Sequence, residues 1–158
     1  MLWGMATETV PISELHQHPD NPRQGDIGAI ATSIQQNGWY GTVVAQTSTS
    51  RVLAGNHRLQ AAAQLGMTEV PVYWVDVDDV TAKKILLADN RTNDLAAYAD
   101  DLLATLLTEL ASTDDLLGTG YDGDDLDDLI IQPPEFPSFD EDSIDTDHQC
   151  PKCGYEWT

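Results

Sequence analysis

Gly55, Asn56, His57 and Arg58 carry the strongest chemical signal in the chain. They follow a short apolar run, Val52-Leu53-Ala54, and open an alanine-rich amphipathic run that reaches Leu65. Glycine at a strand-to-helix junction allows backbone angles that other residues avoid and lets a ligand approach the main chain closely. The first N–H groups of the helix that follows have no intrahelical partners, and the helix dipole puts its positive end at the same place. The natural guest is a phosphate, with Arg58 and the loop residue Arg23 placed to make paired, charge-assisted bonds to its oxygens. The alternative for Gly55 to Arg58 is a plain turn with an exposed arginine. His57 has two readings: a backbone-bonding histidine at a helix start, or a general base with a suitable unperturbed pKa of about 6.5.

A second pattern lies near the end of the sequence. Cys150-Pro-Lys-Cys153-Gly looks like one knuckle of a zinc ribbon, the chain having only these two cysteines, three apart; the competing redox CxxC reading is weaker because the pair does not open a helix after a strand. This is metal-ligand spacing rather than a disulfide framework. His148 is the candidate third ligand, and the fourth comes from His16 or His18, or else two chains share one ion through four cysteines. As a metal site of their own, His16 and His18 beside Asp20 lack a ligand pattern.

The elements that must hold these residues follow from periodicity. Thr9 to Leu15 predicts a short strand and turn, and the proline-rich stretch from His16 to Arg23 predicts a loop that presents Arg23. Ile27, Ile30, Ala31 and Ile34 share one helical face, with Asp26 to cap the start and Asn37-Gly38 to end it. Trp39 to Thr47 reads as a strand, Ser48 to Ser50 as a turn, and Arg51 to Ala54 as the returning strand of a hairpin. Val70 to Val75 is a third strand, with Pro71 at its beginning or on an edge. Aromatics in such strands, Trp39, Tyr40, Tyr73 and Trp74 among them, are expected in the core rather than stacked on a base. Helices are expected from Asp78-Asp79 to Asp89-Asn90-Arg91, from Asp100 to Leu110, and from Asp124 to Ile131.

The fold class expected is therefore α/β in the mixed α+β sense, a small sheet with helices closed by a C-terminal helical subdomain. The organisation is a nucleotide-binding core over 8–93, a helical subdomain over 94–131, an acidic linker over 132–147 and a zinc knuckle over 148–158.

Charge restricts the partners. The formal net charge is −20. Residues 1–93 hold nine acids against six Lys or Arg, a net of −3, whereas residues 94–158 hold eighteen acids against Lys152 alone, a net of −17. Tight DNA binding rests on a basic surface that releases counterions from phosphates, so DNA is expected only indirectly, through a basic protein partner. An acidic tail suits docking on such a partner. No apolar run approaches the roughly 20 residues needed to span a bilayer, and the opening MLWGMATETV lacks the regions of a signal peptide. The expected location is the cytoplasm, that of the host cell if the gene is carried by a phage, with no membrane partner.

Six stretches in order, HPDNPR (18–23), IGAIATSIQQNG (27–38), the strand with Val43-Val44, VLAGNHRLQAAAQLG (52–66), VPVYWVD (70–76) and LADNRTNDLA (87–96), resemble the ParB/sulfiredoxin-like superfamily. The resemblance covers roughly residues 8–131 and is nearest to ParB N-terminal-type domains of phages and plasmids, some fused to DNA methyltransferases. It implies a phosphate cradle of Gly55, Asn56, His57 and Arg58, a second phosphate contact at Arg23, and Asp89 with Asn90 on the Mg²⁺ or triphosphate side. Arg91 joins them by proximity alone. The ligand implied is a nucleotide, ATP or CTP, with Mg²⁺; His57 and Asp89 are the candidate bases if the nucleotide is hydrolysed. Zn²⁺ would be a separate requirement of the knuckle.

Three departures stand out. Sulfiredoxins carry a catalytic cysteine where this chain has Asn56, so that reductase activity is not expected. Tyr40-Gly41-Thr42 replaces the Gln-Pro before the Val-Val strand, and Asp89 replaces the usual Glu, shortening its reach by one methylene. Members of the superfamily bind CTP, hydrolyse ATP, phosphorylate small molecules or cut DNA. The functions carried forward are a nucleotide-binding domain with possible nucleoside-triphosphatase activity, a DNA-modification accessory or nuclease module working with a methyltransferase, and a non-enzymatic adaptor that forms a homodimer through zinc.

Overall fold

The computed structural model of the chain describes residues 7–130 and 148–157. The expected linker over 132–147 lies outside the described residues. Strand β1 (Glu8–Pro11) leads through a 3₁₀ turn (Ile12–Glu14) into the two-residue strand β2 (His16–Gln17). Helix α1 (Ile27–Asn37), the hairpin strands β3 (Val43–Gln46) and β4 (Arg51–Ala54), helix α2 (Asn56–Gln64) and strand β5 (Glu69–Val75) complete the core. The sheet order is β1-β5-β3-β4-β2. β3 pairs antiparallel with β4 and parallel with β5, so the sheet is mixed, as expected of the fold class.

Each element follows from its residues. Asp26 Oδ1 accepts the Ala29 N–H at 2.9 Å and starts α1 one residue before Ile27. Gly38, with φ of +76°, ends it. Pro71 is accommodated because β5 meets β3 only from Val72 onward, so the missing N–H removes no bond on that side. The irregular loop expected from His16 is corrected for two residues. β2 pairs parallel with β4 in the register His16↔Arg51, and the His16 N–H donates to the Ser50 carbonyl. An edge strand this short leaves no alternation for the sequence to display.

The apolar face of the sheet packs on α2. Val10, Leu15, Val43, Ala45, Val52, Leu59, Ala62, Val70 and Val72 form one buried cluster, and Ala31, Ile34 and Ala61 form a second where α1 crosses α2. Trp39 and Met67 touch both. α2 is thus fixed on two sides, and its N-terminus is held still at the end of β4.

Helix α3 (Asp79–Asp94) follows, then α4 (Asp100–Ala111) and α5 (Gly123–Ile130). α4 and α5 pack together. The loop after α4 also returns to α1, where Asn37 Nδ2 donates to the Gly118 carbonyl at 3.1 Å. Strands β6 (His148–Gln149) and β7 (Glu156–Trp157) form a separate antiparallel hairpin. No helix among the described residues is long and apolar enough to cross a membrane.

Asp78 caps α3, accepting from the Thr81 N–H at 2.7 Å. That bond, first among the causes, holds the Asp78 carboxyl below the ordinary carboxylate range. A folded-state value below the unfolded one makes the contribution complete above about pH 4 and lost as pH falls through the folded value. Asp78→Asn keeps the cap but not the titration. Acid unfolding of this variant, followed by circular dichroism below about pH 4, is expected to be shallower than that of the parent.

Candidate functional site

The end of β4 delivers the chain into Gly55, whose φ of +88° is in the left-handed region, and α2 begins at the next residue. A Cβ at Gly55 would sit 3.6 Å from Val43, so space is available and the demand on glycine comes from the backbone angle. The N-cap has no side chain to satisfy the first N–H groups, and the first intrahelical bond runs from the Leu59 N–H to the Gly55 carbonyl at 2.9 Å. The open donors face a cavity of about 580 Å³ lined by Asn21, Arg23, Tyr40, Gly55 to Arg58, Asp89, Asn90, Asn93, Thr119 and Gly120, among others.

The residues singled out from sequence have unequal positions here. Arg58 lines the cavity and belongs to neither of the ion pairs among the described residues. Its guanidinium carbon lies 5.7 Å from the ring centroid of Tyr40. Arg23 lines the same cavity but is already engaged: Nη1 donates to the Asn90 carbonyl and pairs with Asp94, each at 2.9 Å. Both groups of that ion pair are well exposed, so water weakens it. Arg23 therefore contributes a partly neutralised charge, while Arg58 contributes a full one.

Asn56 lines the cavity, and its side chain also braces the frame around it. It is 5% exposed, its Oδ1 accepts the His18 N–H at 3.1 Å, and its Nδ2 donates to the Val52 carbonyl at 3.1 Å. With both ends of the amide engaged, only its main-chain N–H is offered to a ligand. His57 has a similar second duty. Its Nε2 lies 3.0 Å from the Gly25 nitrogen and 3.1 Å from the Arg23 oxygen, so the ring holds the 23–25 loop by the backbone. It accepts from Gly25 or donates to Arg23 according to tautomer.

Asp89 and Asn90 lie on the opposite wall, on α3. Asn90 Nδ2 donates to Asn21 Oδ1 at 3.1 Å, which ties α3 to the HPDNPR loop. A carboxylate beside an amide oxygen is the donor chemistry that Mg²⁺ takes when phosphate and water complete its shell. Arg91 is exposed and does not line the cavity, so its inclusion by proximity is withdrawn.

Tyr40 is a further correction. It is 53% exposed in the loop between α1 and β3 and lines the cavity, so it is not a core aromatic. Gly38 and Gly41, both at positive φ, bracket it, and its hydroxyl lies 2.8 Å from Ser33 Oγ. Gly41 has a specific consequence for Arg58, because a Cβ there would lie 2.8 Å from Nη1. Gly41→Ala is expected to displace the guanidinium from its place over Tyr40, whereas no atom lies within 4 Å of a Cβ at Gly38.

Among the described residues no three His, Cys, Asp or Glu side chains converge as a metal site, so His148 does not join Cys150 and Cys153. His18 is buried, and its Nδ1 accepts the Asp20 N–H at 3.2 Å.

The domain is a small mixed α+β sheet that presents an uncapped helix start and two arginines to a cavity. The chain belongs to the ParB N-terminal domain family, whose pattern matches residues 4–91. No curated protein matches it. Among solved structures, the C-terminally truncated chromosome-partitioning protein ParB from Caulobacter crescentus, complexed with CTP-γ-S, aligns with a TM-score of 0.60 at 20% identity. The alignment covers 80% of this chain and 71% of that one. A Pnob8-like ParB-N domain aligns at 0.48 and 18% identity, over 63% of this chain and 41% of that one. Sulfiredoxin from Arabidopsis thaliana aligns at 0.44 and 17%, over 52% of this chain and 98% of that one.

Proposed function

We propose that this chain binds a nucleoside triphosphate, with CTP the first candidate and ATP the second. The carrying observation is the cavity at the α2 N-terminus, where uncapped main-chain donors meet an Arg58 that has no carboxylate partner among the described residues. The ParB of Caulobacter crescentus in complex with CTP-γ-S supports the choice of ligand. In this reading the phosphates lie over Gly55, receive the N–H groups of the first turn of α2, and are gripped by Arg58. Arg23 approaches from the loop and exchanges part of its bond to Asp94 for a phosphate oxygen. Mg²⁺ would be held by Asp89 and Asn90, where it would neutralise phosphate charge and orient the chain of phosphates.

Binding, rather than turnover, is the activity the side chains favour. A hydrolytic base must reach the attacking water, and His57 Nε2 is occupied by the Gly25 and Arg23 backbone. That leaves His57 Nδ1 and Asp89 as the remaining candidates, both on residues that line the cavity. Calorimetry on the purified full chain with CTP, ATP, GTP or ADP and Mg²⁺ tests the proposal. A saturable heat with CTP is expected; no heat and no thermal shift with any of the four overturns it.

A further inference from the structure

The hairpin that ends the described chain has a construction the nucleotide site does not use. β6 and β7 pair only with each other, in the register His148↔Trp157 and Gln149↔Glu156. Between them the Cys150 N–H donates to the Tyr155 carbonyl at 2.7 Å and the Gly154 N–H to the Cys150 carbonyl at 2.9 Å, with Gly154 at a φ of +74°. The turn places both thiols at its tip, free of any disulfide, with Cys150 half-buried and Cys153 exposed.

From this geometry we propose that two copies of the chain share one Zn²⁺, each supplying Cys150 and Cys153. Structural zinc is four-coordinate and closed, and one chain offers only two cysteines. His148 does not converge with them, and His18 is committed inside the core. A second copy of the same tip completes the tetrahedron through a two-fold axis, with the same patch used on both sides. On binding, four thiols release their protons to solvent, four sulfur–zinc bonds form, and no electron changes hands. The metal also sets the condition for association: each chain carries a formal charge of −20, so the two tails repel unless a cation joins them.

Light scattering on the full chain in reductant, with and without Zn²⁺, tests this directly. The expected results are a doubling of mass at about one ion per two chains, return to monomer on chelation, and no doubling for Cys150→Ser or Cys153→Ser. Co²⁺ in place of zinc should give the thiolate charge-transfer and tetrahedral bands of a four-sulfur site, and His148→Ala should leave both readouts unchanged. Zinc retained by a monomer, a dimer that survives chelation, a cobalt spectrum with fewer sulfurs, or no zinc retained at all overturns the proposal. Since the nucleotide titration is read independently of the cysteine variants, the two proposals fail separately.

Discussion

Replacing Arg58 with alanine is expected to weaken triphosphate binding by about 10- to 150-fold while moving the melting temperature little. The magnitude follows from the loss of charge-assisted hydrogen bonds, worth ~1.5–3 kcal/mol. The small structural cost follows from what Arg58 touches. Neither ion pair among the described residues uses it, and its contact with the exposed Tyr40 ring at 5.7 Å is worth only ~0.5–1 kcal/mol. Arg58→Lys keeps a point charge but loses the planar fork, so its affinity should fall between the two. Arg23→Ala is expected to cost less than Arg58→Ala, because Asp94 already offsets part of the Arg23 charge. Titration calorimetry on the three variants gives the order, and an Arg23 effect larger than the Arg58 effect would reverse the assignment of the principal phosphate grip.

Asn56→Ala is expected to act in the opposite way, on stability first. Its amide joins the buried His18 N–H to the Val52 carbonyl, and alanine removes both bonds. Each unsatisfied buried group costs ~1–3 kcal/mol, which for a domain of this size lowers the melting temperature by roughly 10 °C. Nucleotide binding should weaken as a consequence, because His18 starts the loop that carries Arg23 while Val52 lies in the strand that delivers Gly55. Asn56→Asp separates the two effects. It can still accept from His18 but cannot donate to Val52, and it sets a carboxylate beside the phosphates. Its affinity should therefore drop further than its melting temperature alone accounts for. Differential scanning calorimetry with and without CTP reads both quantities.

These contrasts show what the residues revealed before the fold was known. The junction of β4, Gly55 and α2 was legible because it is local: a strand, a glycine and a helix start within one short stretch carry their own geometry. The α1 and α2 spans were legible from apolar spacing and from Asp26 and Gly38. The partner of Arg23 was not, because the helix was expected to end at Asp89-Asn90-Arg91, short of Asp94. In the structure α3 continues to Asp94, since Thr92 Oγ1 donates to the Ala88 carbonyl at 2.8 Å and Asn93 Nδ2 to the Asp89 carbonyl at 2.8 Å. Side chains that break helices elsewhere here bond back onto the helix they belong to. Tyr40 was assigned to a strand because aromatics favour strands, whereas the glycines on either side turn it toward Ser33 and the cavity. Thr119 and Gly120 reach the cavity only through the return of the loop after α4 to α1, a contact made at Asn37 and Gly118 that no local pattern announces.

The most direct measurement is a backbone amide NMR titration of the full chain with CTP and Mg²⁺. The expected result is that the amides of Asn56, His57 and Arg58 move first and farthest, saturating together with Asn90, and that these shifts are lost in Arg58→Ala. Saturable binding that leaves those three amides in place, with the shifts elsewhere in the chain, would contradict the assignment of the α2 N-terminus as the anion seat.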